Sequence, residues 1–144
     1  MNVRVPIVVS TGAKMPAYAH HDDAGMDLFS TQKVILAPLE RALVGTGVSV
    51  AIPAGHEGQV RPKSGLAINH GVTILNTPGT IDAGYRGEIK VIMINLGKEG
   101  YTIEPGTKIA QLVVAKVERA QLNSHSSLDE TKRGAGGFGS TGKK

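Results

Sequence analysis

At 144 residues and 15.0 kDa the chain is long enough for one domain with a real core and too short for two. It contains no cysteine, which excludes disulfides, thiol nucleophiles and zinc–thiolate sites in one step. The net charge of +4 divides into +2 over residues 1–117 and +2 over residues 118–144, with no basic patch or stripe of the kind that duplex-binding domains concentrate. Such a mild surplus suits a small anionic ligand.

Residues 1–10 hold a short apolar run broken by Arg4 and Pro6, unlike a signal peptide, and no stretch approaches the roughly 18 apolar residues of a membrane span. The expectation is a soluble, cytoplasmic protein. In chain order, short β-type runs fall at 3–10, 33–36, 41–44, 48–52, 57–62, 72–74, 87–95, 101–103 and 108–118, separated by Gly, Pro or Asn. Apolar and polar residues alternate in Val48-Ser49-Val50-Ala51-Ile52 and in Glu88-Ile89-Lys90-Val91, the pattern of half-buried antiparallel strands. Helical periodicity is weak; one short helix is predicted from Ser64 to about His70, with Ser64 as N-cap and Gly71 as stop. This predicts an all-β sandwich, jelly roll or distorted barrel. With 19 glycines and five aromatic residues, its core must come from Val, Ile, Leu and Ala, supplemented by subunit contacts in an oligomer. The β pattern fades after residue 119 into Asn123-Ser124-His125-Ser126-Ser127, so the folded body is placed at 1–122 and an arm at 123–144.

Several segments carry groups capable of chemistry. His20-His21-Asp22-Asp23 tempts a metal reading, but adjacent residues rarely converge on one ion and no distant ligand set completes it, so it is read as a solvated loop. Asp27 lies between apolar Met26 and Leu28, where an acid is costly unless it has a partner. In Arg61-Pro62-Lys63-Ser64-Gly65 a strand gives way to the predicted helix, leaving free amides beside a hydroxyl and a lysine; it reads equally as an anion site or a capped helix with a solvated lysine. Residues 79–88, Gly-Thr-Ile-Asp-Ala-Gly-Tyr-Arg-Gly-Glu, lie between apolar runs and are predicted to span a hairpin. Asp82 there is either a general base for a water nucleophile or a turn aspartate bonding its own backbone, and in isolation the second reading is favoured. Tyr85 is a core ring or a wall against a sugar. Gln111 places one amide side chain in an apolar strand.

The tail, Arg133 to Gly142, has five glycines among ten residues, together with a guanidinium, two hydroxyls and the ring of Phe138. Mobile backbone amides and positive charge suit a phosphate chain, and a ring among glycines suits a flat base. Gly134–Gly139 matches G-x-G-x-x-G and Gly137–Lys143 matches G-x-x-x-x-G-K, yet neither has the strand–loop–helix frame those motifs require.

Taken together, AGMDL (24–28), RPKSGLA (61–67), NTPGTIDAGYRGE (76–88), GTKIAQLV (106–113) and RGAGGFGSTG (133–142) resemble the five ordered motifs of the trimeric dUTP diphosphatases. The resemblance runs from about residue 3 to the terminus. It implies a β jelly-roll protomer in a threefold homotrimer, with active sites at the subunit interfaces and the arm closing a neighbour's site. The implied activity is hydrolysis of dUTP to dUMP and pyrophosphate, which limits uracil incorporation into DNA and supplies dUMP for thymidylate synthesis. Asp82 would hold and deprotonate the water that attacks the α-phosphorus. The backbone around Asn76 and Thr80, Ile81 and Asp82 would read the uracil edge, and Tyr85 would lie beneath the deoxyribose. Lys63, Ser64, Gly65 and Gln111 would hold the phosphates, with Arg133, Gly139, Ser140 and Thr141 completing the cage, Phe138 stacked over the base and Lys90 among the substrate contacts. Asp27 would support the site. Mg²⁺ would ride on the triphosphate, touching the protein mostly through water.

Many members of that family carry arginine where this chain has Lys63. A lysine supplies a point charge without the planar bidentate fork. Two rivals remain: a dCTP deaminase of the same fold, which would need a catalytic glutamate near the base, and a non-catalytic nucleotide-binding module.

Overall fold

The computed structural model describes residues 3–140 and 142. In chain order its elements are β1 (Ile7–Val9), β2 (Met26–Phe29), β3 (Val34–Leu36), β4 (Arg41–Val50), β5 (His56–Arg61), α1 (Ser64–His70), β6 (Val72–Ile74), β7 (Gly79–Ile81), β8 (Glu88–Asn95), β9 (Tyr101–Ile103) and β10 (Lys108–Lys116). Two four-stranded antiparallel sheets, ordered β1–β4–β8–β6 and β2–β10–β5–β7, enclose the core, and β3 pairs with β9 in a third small sheet. This is the all-β jelly roll with one short helix that the sequence predicts.

The alternation in β8 does what its period demands. Ile89, Val91, Met93 and Asn95 point into the core, whereas Lys90, Ile92 and Ile94 face the other way. The core is aliphatic throughout, with Leu28, Leu36, Ile52, Ile74, Ile89, Ile103, Ile109 and Leu112 among its largest side chains and Met93 filling in among them. Its polar members are satisfied. Asn95 donates to the carbonyls of Leu36 and Glu99 (2.9 and 2.7 Å) and accepts from the Gly97 N–H (2.8 Å). Thr46 donates to the Ile89 carbonyl at 2.6 Å.

Four sequence expectations need correction. The first strand is three residues long, not eight. The runs at 41–44 and 48–52 form one strand; the intervening Gly45-Thr46-Gly47 shifts the β4–β8 register and Gly47 adopts φ 68°. Ser64 is the first helical residue, not the cap: Lys63 holds the N-cap position with extended φ −102° and ψ 123° and makes no side-chain capping bond. Gly71 ends the helix in the left-handed region as expected. Finally, residues 79–88 are not a hairpin. β7 belongs to one sheet and β8 to the other, so the turn carrying Asp82 and Tyr85 crosses between sheets.

Candidate active site

That crossing builds the first cleft, of about 300 Å³, lined by Thr80, Ile81, Asp82, Tyr85, Glu88 and Lys90 with Leu43 and Ile92 from the outer face of β4 and β8. The turn is closed by the main chain, the Tyr85 N–H donating to the Asp82 carbonyl at 3.0 Å, so the fold does not rely on the Asp82 carboxylate to make it. Arg86 braces it from outside, donating to the carbonyls of Ala83 and Tyr85 (2.6 and 2.8 Å). The Tyr85 phenol donates to the Glu88 carbonyl at 2.9 Å. Glu88 accepts from the Gly47 N–H at 2.9 Å, tying the turn to the β4 bulge. β7 is an edge strand, so one side of its main chain has no strand partner among the described residues. Asn76 is exposed in the loop before β7, at the opposite end of that strand from Asp82.

A second cleft, of about 390 Å³, opens over the other sheet and is lined by His20, Asp23, Asp27, Arg61, Lys63, Ser64 and Gln111, among others. Gln111 on β10 stands in register with Asp27 on β2 and Arg61 on β5, which places the three side chains in one row on one face. Gln111 Nε2 donates to the Pro62 carbonyl at 3.0 Å, tying the strand to the approach of α1. Arg61 donates through Nε and Nη2 to Gln59 Oε1 (2.9 and 2.5 Å), and Gln59 Nε2 donates to Glu57 Oε1 at 2.7 Å.

Asp27 is the buried charge of this cleft, and its partners answer the question its sequence position raised. Lys63 Nζ donates to Oδ1 at 2.5 Å and Lys108 Nζ to Oδ2 at 2.7 Å. Burial pushes the Asp27 carboxyl up, but the hydrogen bonds and charges of Lys108 and Lys63 outweigh it and hold the group below its ordinary 3.8. One carboxylate facing two ammonium groups leaves a local positive excess beside Ser64 and Gln111, which suits an anion.

The arm forms a third group. After β10 the described residues contain no further helix or strand. Arg133 Nε donates to the Gly136 carbonyl at 2.9 Å, and main-chain bonds from Gly136 to Arg133 and from Ser140 to Gly137 close successive turns. Phe138, with φ 52°, is fully exposed. Gly139 and Ser140 are exposed beside it, Gly65 is exposed in the first turn of α1, and Thr141 lies outside the described residues. Thus one chain brings Thr80, Ile81, Asp82, Tyr85 and Lys90 together, and separately Asp27, Lys63, Ser64 and Gln111. Among the described residues the arm lines neither cleft.

The sequence alone does not place Lys108 against Asp27, or Arg61, His20 and Asp23 on this cleft. The acid at position 27 signalled a missing cation, but only the β2–β10 pairing identifies Lys108. His20 and Asp23 do lie on an exposed loop, where Asp23 accepts from the His20 N–H at 2.8 Å, and that loop forms one rim of the second cleft.

A sequence-family model described as dUTPase matches residues 11–142. The chain belongs to the dUTPase family. It is 55% identical over 134 residues to the deoxyuridine 5'-triphosphate nucleotidohydrolase of Clostridium kluyveri, covering 93% of this chain and 94% of that protein. A Staphylococcus bacteriophage 80alpha dUTPase variant solved with dUpNHpp superposes with a TM-score of 0.89 at 29% identity, covering 98% of this chain and 99% of that one. A variant of the phage phi11 dUTPase of S. aureus, in which a structural Mg(II) ion is coordinated, superposes with a TM-score of 0.80 at 30% identity, covering 87% of this chain and 98% of that one.

Among the described residues no group of three or more His, Asp or Glu side chains converges on a point, and both oxygens of Asp27 are engaged by lysines. Magnesium retains several waters and is commonly held by one or two carboxylates together with substrate phosphates. An ion arriving on a phosphate chain is compatible with this donor set.

Proposed function

We propose that the protein hydrolyses dUTP to dUMP and pyrophosphate, with Asp82 as the general base. Water held by the Asp82 carboxylate attacks the α-phosphorus. Its proton passes to Asp82, a P–O bond forms to the α-phosphorus, and the bond from that phosphorus to the bridging oxygen breaks as pyrophosphate leaves. A positioned base of this kind typically contributes about 10²–10⁴-fold in rate. The observation that carries the reading is the first cleft: an acid whose turn is closed by the main chain, a tyrosine wall, and an edge strand with free main-chain groups. An edge strand offers alternating donors and acceptors, which suit the hydrogen-bonding edge of a uracil as they would suit another strand. Thr80 and Ile81 supply that edge, with Asn76 in the loop before it, and Tyr85 lies beneath the deoxyribose.

The second cleft takes the phosphates. Lys63 supplies charge, Ser64, Gly65 and Gln111 supply donors, Asp27 holds Lys63 in place, and Lys90 adds a cation beside Asp82. Mg²⁺, when bound, neutralises phosphate charge. We place the folded body at residues 1–122 and the arm at 123–144. Arg133, Gly139, Ser140 and Thr141 then close over the phosphates while Phe138 stacks on the base, a contact of about 1–3 kcal/mol. Because one chain carries the two clefts and the arm as separate groups, the complete site is assembled from different subunits of a homotrimer. Limiting uracil in DNA and supplying dUMP follow from the reaction.

The test is pyrophosphate release from dUTP, dTTP, dCTP and UTP in the presence of Mg²⁺, with ammonia measured in parallel. Release from dUTP alone is expected. Ammonia from dCTP would favour a deaminase, and nucleotide binding without turnover would favour a non-catalytic module.

A further inference from the structure

Gly87 stands two residues beyond Tyr85, and its backbone does not explain why it is glycine: its φ lies outside the left-handed range that other glycines of the chain occupy. The explanation lies in space. A β-carbon on residue 87 would collide with Tyr85 Oη and sit 2.6 Å from Cζ and 2.9 Å from Cε2, well inside any contact a real β-carbon makes. The phenolic end of Tyr85 therefore occupies the volume a side chain at 87 would need. It is fixed there by the 2.9 Å bond from Tyr85 Oη to the Glu88 carbonyl, and Tyr85 lines the cleft with Thr80, Asp82 and Lys90.

We propose that Gly87 is a positioning residue that sets substrate specificity: its missing side chain lets the Tyr85 ring lie against the chain, at the depth that admits a deoxyribose and excludes a 2′-hydroxyl. This rests on the reading of Tyr85 as the wall beneath the sugar. No left-handed φ at 87 resists a methyl group, and the atoms it meets all belong to the Tyr85 ring, so the ring has to move. Tyr85 is 44% exposed and is no part of the core, so the ring can turn toward solvent. Such a rotation breaks the bond to the Glu88 carbonyl and removes the wall from the sugar.

The experiment compares kcat/KM for dUTP and UTP, with Mg²⁺, in the full-length wild type, Gly87→Ala, Tyr85→Ala and the double variant. Thermal unfolding is recorded for each. Gly87→Ala is expected to lose at least about tenfold of the preference for dUTP over UTP, the scale at which a pocket discriminates small substituents by shape. Its unfolding midpoint is expected to stay near that of the wild type, and the double variant to discriminate no worse than Tyr85→Ala, because Gly87 acts only through the ring. An unchanged preference in Gly87→Ala alongside a lost preference in Tyr85→Ala would overturn the role of Gly87 alone, as would losses that add in the double variant. An unchanged preference in Tyr85→Ala would overturn the sugar-wall reading and this proposal with it.

Discussion

Lys63 Nζ lies 2.5 Å from Asp27 Oδ1, and the opposite oxygen of the same carboxylate is held by Lys108 at 2.7 Å. Lys63, proposed above to face the phosphates, is thus docked at the rim of its cleft, with its direction set by a buried acid. A lysine on a flexible stem would otherwise have to be ordered when substrate binds.

Asp27→Asn leaves two ammonium groups around a neutral amide. Breaking a fully buried pair costs about 3–5 kcal/mol. Lys63 and Lys108 side chains are 29% and 53% exposed, so a smaller loss of about 1–2 kcal/mol is expected. KM for dUTP should rise more than kcat falls, because Lys63 is released while Asp82 is untouched. Urea unfolding and steady-state kinetics of the purified variant check both.

The same carboxyl sets an acid limit. Its folded pKa is depressed below 3.8, so its contribution to stability is complete above the unfolded value and is lost as pH falls through the folded one. Urea midpoints recorded downward from pH 5 should therefore drop more steeply below about pH 3.9 in the wild type than in Asp27→Asn.

Lys63→Arg should retain turnover and lower KM by a few-fold, since a guanidinium can face Asp27 and a phosphate oxygen together. Lys63→Met, which keeps the stem and removes the charge, should raise KM by about tenfold or more, the scale of a lost charged hydrogen bond. Equal kinetics in all three would remove Lys63 from the phosphate site.

The subunit arrangement makes its own prediction. Assayed with dUTP well below KM, Lys63→Met and Asp82→Asn are each expected to be slow alone, yet co-refolded at equal ratio they should regain activity. In a closed ring where each site takes Asp82 from one chain and Lys63 from another, roughly a quarter of the sites are intact. No gain on mixing would place both residues of a site on one chain.

Strands rich in β-branched residues were legible in sequence: 72–74, 101–103 and all of 88–95 stand where the pattern puts them. β2 and β7 were not, because Met-Asp-Leu-Phe and Gly-Thr-Ile are too short for a period and depend on β10 and β5 for pairing. The supposed hairpin failed for a related reason: two adjacent apolar runs say nothing about which sheet each joins. For the site, the burial cost of Asp27 announced a partner, but Lys63 and Lys108 stand 36 and 81 positions away and only strand pairing brings them in. The crowding of Gly87 by Tyr85 is equally invisible until the ring has a place.

Asp82 is proposed to activate the attacking water, and the decisive measurement is single-turnover pyrophosphate release from dUTP by Asp82→Asn, alongside its affinity for dUpNHpp. Affinity within a few-fold of wild type and release slowed by at least about 10²-fold is the predicted result. Release at the wild-type rate would contradict it.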